Sequence, residues 1–224
     1  MYRRFFKRFF DIVLSALAIV VVLPFMLTII IGLLLTGEHY VFYFQERIGY
    51  RNRSFKMWKF ATMLKNSPNL PGGMHTTRND PRVLPMGGFL RKTKINEIPQ
   101  LVNILKGDMS VVGPRPLVRK TFDPYPDHVR ERIYNVRPGL TGIGSIVFRD
   151  EERLLSETSI DPKEFYAKHI APYKGELEIW YQNHLTFRTD FMLIFLTVWV
   201  IFFPCSDLVY KIFRDLPSRP GYLD

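Results

Sequence analysis

Ile12 to Leu35 reads IVLSALAIVVVLPFMLTIIIGLLL, 24 positions without one charged side chain. A bilayer core about 30 Å thick needs roughly 20 apolar residues of helix to cross it, so this stretch is long enough to be a membrane element. A cleaved signal peptide carries a shorter apolar region and a small-residue cleavage site; no such site follows Leu35, and the segment reads as retained. Pro24 falls in its middle, where a proline removes a backbone donor and crowds the carbonyl one turn back. Arg3, Arg4, Lys7 and Arg8 precede the segment, and Arg47, Arg51, Arg53, Lys56 and Lys59 follow it. A simple span keeps most nearby positive charge on one side. Two topologies therefore stay open on this pattern: a kinked helix that crosses, and a re-entrant hairpin whose two ends return to one face.

The rest of the 224 residues suffices for one modest domain. Thirty-one Lys+Arg against 21 Asp+Glu give a net charge of +10, which favours anionic partners: lipid head groups, nucleic acid or phosphorylated substrates. No nucleic-acid motif is present, and the membrane flanks and candidate phosphate sites absorb the charge, so nucleic-acid binding is set aside. Cys205 is the sole cysteine, which excludes an internal disulfide, and no Cys/His cluster has zinc-site spacing. His75, His128, His169 and His184 are scattered without a triad pattern. A second apolar run, Phe191 to Pro204, is 14 residues long. It is short for a span and suits a core helix or one lying in the interface, with Trp180, Tyr181, Trp199 and Phe203 as a candidate interfacial belt.

Between Glu38 and Asp190 the pattern is that of a compact domain. Val41 to Phe44 and Phe55 to Phe60 read as strands. Asn66 to Pro85, rich in Asn, Pro, Gly and Thr, reads as a long loop. Ile95, Ile98, Leu101, Val102 and Leu105 recur at helical spacing. Pro99 fits only the first turn, which puts the helix start near Ile95 to Glu97, and Gly107 ends it. A carboxylate at a helix start, as Glu97 would be, shares that positive end with any bound phosphate.

The chemistry-bearing groups concentrate from Gly87 to Pro116: Arg91, Lys92, Lys94, Asn96, Glu97, Asp108 and Gly113-Pro114-Arg115-Pro116. Cations around a carboxylate suit a diphosphate, and the carboxylate can hold Mg²⁺ or act as a nucleophile. Each group also has a plain structural reading as a solvated charge, a first-turn carboxylate or a turn. Arg47 and Gly49 can hold phosphate or close a hairpin. Arg137-Pro138-Gly139-Leu140-Thr141-Gly142 can approach a nucleotide or merely reverse the chain.

In combination these segments resemble the bacterial sugar transferase family, the monotopic polyprenyl-phosphate phosphoglycosyl transferases. The resemblance runs through Lys7-Arg8-Phe9-Phe10-Asp11-Ile12, Phe44-Gln45-Glu46-Arg47-Ile48-Gly49, Lys59-Phe60-Ala61-Thr62-Met63, Asn79-Asp80-Pro81-Arg82 and Phe89-Leu90-Arg91-Lys92-Thr93. It is strongest from Asn96-Glu97-Ile98-Pro99-Gln100-Leu101 through Lys106-Gly107-Asp108-Met109-Ser110-Val111-Val112-Gly113-Pro114-Arg115-Pro116, and ends with Val136-Arg137-Pro138-Gly139-Leu140-Thr141-Gly142.

The fold it implies is α+β and mostly helical. A re-entrant N-terminal membrane helix-hairpin (1–37) is broken at Pro24, a small cytoplasmic sugar transferase domain spans 38–190, and an interfacial apolar helix with the C-terminal tail spans 191–224. The implied reaction is Mg²⁺-dependent transfer of hexose-1-phosphate from a UDP-sugar to undecaprenyl phosphate, releasing UMP, at the cytoplasmic face of the bacterial inner membrane. Membrane lipids are implied partners, and self-association is left open. Glu97 would bind the metal and be catalytic together with Asn96, while Arg91, Arg115, Lys59 and Arg137 would bind substrate phosphates. The family's nucleophile is the Asp of an Asp-Glu pair, and Asn96 stands at that place here. Glu97 could substitute for it, the lipid phosphate could attack directly, or the chain could be a non-catalytic membrane scaffold. Ala61 and Gly88 also stand where basic residues are usual.

Overall fold

The computed structural model describes residues 2–70, 80–204 and 206–223. Helix α1, Lys7–Leu35, is one unbroken element with Pro24 inside it. No interruption is seen at the proline where a hairpin break was expected. Proline costs the helix one hydrogen bond and one clash, and the turns on both sides of it are packed on the domain. At 1.5 Å per residue, 29 residues reach about 44 Å.

One stripe of this helix lies on the rest of the protein. Lys7, Asp11, Ser15 and Leu33 are buried. Ala18, Ile19 and Val22 pack on Met57, Leu101, Ile104 and Met109; Met26, Ile29 and Ile30 pack on Leu33, Phe60 and Leu90. The three-and-four spacing of these positions is one helix face. The other faces leave large apolar side chains such as Phe9, Leu17, Val21 and Phe25 exposed.

The motif Lys7 to Asp11 fastens the N-terminal end. Lys7 Nζ donates to Asp190 Oδ2 at 2.7 Å, to the Val112 carbonyl at 2.9 Å and to Tyr181 Oη at 3.1 Å. Arg8 donates to the Leu105 carbonyl and to that of Ile104, which also accepts from the Gly107 amide. Asp11 Oδ1 accepts from Ser110 Oγ at 2.9 Å and from the Val111 amide at 2.8 Å.

After α1 come strands β1 (Phe42–Ile48) and β2 (Ser54–Phe60), an antiparallel hairpin. They extend and confirm the two strands read from the sequence. Arg51 and Asn52 at the turn both have positive φ, 55° and 57°, the backbone twist that tight hairpin turns require. Arg47-Ile48-Gly49 therefore does close a hairpin. The next segment carries a short 3-10 turn, Ser67–Asn69, and a bridge between Met63 and Val83. Much of the expected loop, with His75 and Asn79, lies outside the described residues. Asp80 and Arg82 form a buried two-pronged pair, with Nε–Oδ1 at 2.8 Å and Nη2–Oδ2 at 2.6 Å.

Helix α2 (Gly87–Lys92) leads to a 3-10 turn, Ile95–Glu97, and to α3 (Gln100–Lys106). The α-helix thus begins later than the sequence suggested. Pro99 occupies the cap, and Glu97 sits on the 3-10 turn before it. Gly107 ends α3 in the left-handed region, φ 91°, as expected of a C-terminal glycine. Asn103 serves as a surrogate strand for the open edge of β2: its side-chain oxygen accepts from the Trp58 amide at 2.9 Å, and its side-chain nitrogen donates to the Lys56 carbonyl at 2.8 Å.

Strand β3 (Ser110–Val112) pairs in parallel with β4 (Gly139–Thr141), Ser110 opposite Gly139 and Val112 opposite Thr141. The two chains run so close that a Cβ on Gly139 would lie 2.1 Å from the Gly113 nitrogen. That contact explains the glycine after Pro138.

The remaining helices are α4 (Arg119–Phe122), α5 (Asp127–Arg130), α6 (Ile143–Val147), α7 (Glu151–Glu157), α8 (Pro162–Phe165), α9 (Ala171–Asn183), α10 (Phe187–Phe202) and α11 (Leu208–Ile212). They surround the main core, where Ile133, Tyr134, Ile143, Ile170, Leu177 and Leu193 are fully buried. Helix α10 bears out the core reading of the C-terminal apolar run on one of its faces. Leu193, Leu196 and Val200 face the core, while Phe187, Phe191, Phe195, Val198 and Ile201 stay exposed. Its start meets the start of α1 through the Phe10–Phe187 rings, 5.1 Å apart.

Candidate active site

The β1–β2 hairpin has two unlike faces, because side chains alternate along a strand and cross-strand partners share a side. Arg47 pairs with Phe55, Gln45 with Met57 and Tyr43 with Lys59 on one side. The other side is aromatic: Phe44 meets Trp58 edge-on at 4.9 Å, and Phe42 stacks on Phe60 at 5.7 Å. The first side faces the 3-10 turn that carries Glu97. Lys59 Nζ donates to Glu97 Oε1 at 3.0 Å.

A second cation arrives on the loop after β3, whose backbone is held at each step. The Gly113 amide donates to Thr141 O at 2.9 Å, Pro114 O accepts from the Gly139 amide at 2.8 Å, and Arg115 O accepts from Tyr134 Oη at 2.8 Å. Arg47 Nη1 donates to Pro116 O at 3.2 Å. The Arg115 guanidinium, 42 % exposed, approaches Glu97 Oε1 to 3.9 Å. A narrow cleft results, lined by Arg47, Glu97, Gln100, Arg115 and Leu140 among others.

Burial alone would push the Glu97 carboxyl up, but Lys59, Arg115 and Lys94 outweigh it and hold it down at about 2. The carboxylate is therefore ionised at any physiological pH. Burial first, and Arg115 nearby second, lower Arg47 to about 10. Burial also lowers Lys59, against the opposing pull of Glu97. Arg47, Lys59 and Arg115 against the one carboxylate of Glu97 leave excess positive charge in a partly dry cleft. That is the electrostatic complement of a diphosphate.

The expected residues do not all converge. Glu97, Lys59 and Arg115 do. Asn96 is buried on the same turn, and its Oδ1 has no hydrogen-bond partner among the described residues. Arg91 sits at the end of α2 with Nη1 at 3.4 Å from Met63 Sδ, and is not among the residues lining the cleft. Arg137 donates Nε to the Gly107 carbonyl at 2.8 Å, lies over the Tyr50 ring and is not among the residues lining the cleft. Asp108 bonds Asn103 and Lys106. Arg47, open between two readings in the sequence, stands in the hairpin and also lines the cleft. The strand period running from Lys59 through Met57 to their partners would have placed it on the cleft side. Gln100 and Leu140 lie inside motifs quoted from the sequence, but neither was singled out there as a site residue.

A cationic cleft around a fixed carboxylate, in a domain fastened along one apolar helix long enough to cross a membrane, defines a phosphate-handling protein of membrane-associated type. The family model described as "Bacterial sugar transferase" matches residues 2–204, and the chain belongs to that family. It is 35% identical over 169 residues to the exopolysaccharide production protein ExoY of Sinorhizobium fredii, covering 69% of this chain and 74% of that one. It is 33% identical over 191 residues to the UDP-glucose:undecaprenyl-phosphate glucose-1-phosphate transferase of Escherichia coli, covering 84% of this chain and 40% of that one. It is 30% identical over 212 residues to the undecaprenyl-phosphate galactose phosphotransferase of Salmonella typhimurium, covering 88% and 40%. The chain thus spans well under half the length of these last two relatives.

Proposed function

We propose that this chain transfers a sugar phosphate from a UDP-sugar to undecaprenyl phosphate, giving a lipid diphosphate sugar and UMP, in the assembly of a surface glycan. The observation that carries the reading is the cleft itself, where Arg47 and Arg115 line the space beside Glu97 and Lys59 binds Glu97 from β2. The names of the relatives support the substrate class. None of the relatives' names points to the scaffold alternative.

In the proposed step an oxygen of the lipid phosphate bonds to the sugar-bearing phosphorus. The bond from that phosphorus to the bridging oxygen breaks, and the bridging oxygen leaves with UMP. Phosphoryl transfer asks the protein mainly for alignment and charge neutralisation. Arg47, Lys59 and Arg115 supply both, and Glu97 keeps Lys59 and Arg115 on one side of the cleft. A carboxylate held down at about 2 and bonded to Lys59 is a weak nucleophile, so direct attack by the lipid phosphate is the favoured course. The donor set fits Mg²⁺: Glu97 and the orphaned Asn96 Oδ1 are oxygen ligands on one turn, and Mg²⁺ commonly takes one or two protein oxygens with the rest from substrate phosphates and water. When bound, it would neutralise diphosphate charge. Arg91 and Arg137, off the cleft, are left with at most a peripheral part in phosphate binding.

The exposed apolar faces of α1 and α10 would sit in the bilayer. Both ends of α1 rest on the same domain, Lys7 at β3 and α10, and Leu33 at β2 and α2. This favours a helix that keeps both ends on the cytoplasmic face of the inner membrane over one that crosses.

Purified protein with undecaprenyl phosphate, Mg²⁺ and a panel of UDP-sugars is expected to release UMP from at least one sugar, and only when the lipid is present. Release from none, or release without lipid, would refute the transfer. Asn96→Asp places a second carboxylate beside Glu97. Incubated with the reactive UDP-sugar alone, this variant is expected to accumulate a sugar-phosphate adduct on residue 96, seen as a peptide mass shift, while the parent chain stays unmodified. An adduct on Glu97 of the parent chain would overturn direct attack.

A further inference from the structure

Gln100, the first residue of α3, lines the cleft three residues after Glu97 and is 3 % exposed. Its carboxamide makes no hydrogen bond to any of the described residues. Burying an amide without a partner costs free energy, and an open polar group of this kind calls for a partner from outside the chain. The neighbouring side chains do not supply one. Arg47 donates to Gln45 Oε1 at 2.7 and 3.2 Å and to Pro116 O at 3.2 Å. Lys59 donates to Glu97 at 3.0 Å. Met57 and Leu140, also on the cleft wall, carry no hydrogen-bonding donor. The Arg115 guanidinium, which approaches Glu97 only to 3.9 Å, is likewise open among the described residues. The space that these side chains enclose is about 10 Å³, room for one water molecule or one phosphoryl oxygen.

We infer that Gln100 binds the donor substrate: its carboxamide nitrogen donates to a non-bridging oxygen of the sugar-bearing phosphate, which the Arg115 guanidinium also meets. The inference rests on the reading of the cleft as the diphosphate site. A carboxamide can present either its oxygen or its nitrogen. Beside Arg47 and Arg115 the ligand atom is an anionic oxygen, so the nitrogen is the end that serves. The reacting phosphorus is the one that bears the sugar, and the proposed transfer sets it beside Glu97. A neutral donor there fixes the direction of the phosphate without adding to the excess of positive charge.

Gln100→Met keeps the length of the side chain and removes its polar atoms. Because no bond within the protein is lost, the variant should unfold at the temperature of the parent or higher. Its dissociation constant for UDP, measured by calorimetry without lipid or metal, should rise about tenfold, the effect of one hydrogen bond to a charged acceptor. Its dissociation constant for UMP, which lacks the second phosphate, should not change. Gln100→Glu keeps the shape but offers a carboxylate in place of the donor, so UDP should bind it more weakly still. Unchanged UDP affinity in Gln100→Met, or an equal loss for UDP and UMP, would overturn the contact. A lower unfolding temperature for Gln100→Met would assign the amide to the fold instead. A parent chain that binds neither nucleotide would overturn the diphosphate site and this contact together. A parent that binds both, yet releases no UMP from UDP-sugars and lipid, would refute the transfer alone, and the two titrations would still decide the contact.

Discussion

Glu97→Gln is expected to lower turnover by about 10²–10³, the range typical of removing one preorganised electrostatic group from an active site. The amide keeps the volume but loses the charge that holds Lys59 at 3.0 Å and draws Arg115 to 3.9 Å. Affinity for UMP measured without metal should not fall, because the cleft becomes more positive. The loss should therefore appear in kcat and not in nucleotide binding. The pH dependence should shift in a definite direction. Burial already lowers the Lys59 ammonium and Glu97 opposes that, so removing Glu97 lowers it further, and the alkaline limb of the activity profile should move to lower pH. The Glu97 carboxyl itself, held down at about 2, contributes stability that is present above about 4.5 and lost only as pH falls through 2. It therefore gives no acid limb near neutrality. Steady-state UMP release from pH 5 to 10, with nucleotide binding by calorimetry, checks each part; unchanged kcat would remove Glu97 from the chemistry.

Lys7→Met is expected to cost about 3–5 kcal/mol of stability, the usual consequence of deleting one partner of a buried ion pair. The ammonium of Lys7 is buried between Asp190, the Val112 carbonyl and the Tyr181 hydroxyl. Without it, the Asp190 carboxylate keeps only the Tyr181 and Tyr2 hydroxyls among the described residues. The same contacts tie α1 to β3 and α10, so the loss should free the first turns of the helix. Thermal unfolding in detergent and limited proteolysis near residue 7 would report both effects. The double variant Lys7→Met, Asp190→Leu should recover part of the loss, because it leaves no uncompensated charge. A single-variant cost under about 1 kcal/mol, the value of a surface pair, would mean that Lys7 does not fasten the helix.

Those two residues also mark how far the sequence could be read. The apolar length of α1, the two strands of the hairpin and the stop at Gly107 follow from local composition and spacing, and all stand in the structure. The partnership of Glu97 with Lys59 and Arg115 came from the motif resemblance. Local spacing could not have supplied it, since the three residues sit on three separate elements. Arg91 and Arg137 looked equivalent to Arg115 in sequence because charge carries no direction. In the structure they meet Met63 and the Gly107 carbonyl instead of Glu97. Lys7 and Arg8 read as membrane-flanking charges, yet they and Asp11 bind carbonyls and amides about a hundred residues away. The three-residue strands β3 and β4 are too short to leave a periodic signal, so their parallel pairing, which pins the Arg115 loop, could not be read. Glu178, between Leu177 and Ile179 and two residues after Glu176, looks like any helix-surface acid until the packing of α9 on α6 buries it.

The account stands on the cleft between the β1–β2 hairpin and the loop after β3 being where the diphosphate sits. A structure of the full chain in a lipid nanodisc with a UDP-sugar bound tests this most directly. The diphosphate should lie within hydrogen-bond reach of Lys59, Arg115 and Arg47, beside Glu97, with the exposed faces of α1 and α10 in the lipid. A nucleotide seated instead in the larger cavity between α7 and α11, near Arg149, Arg153 and Arg219, would contradict it.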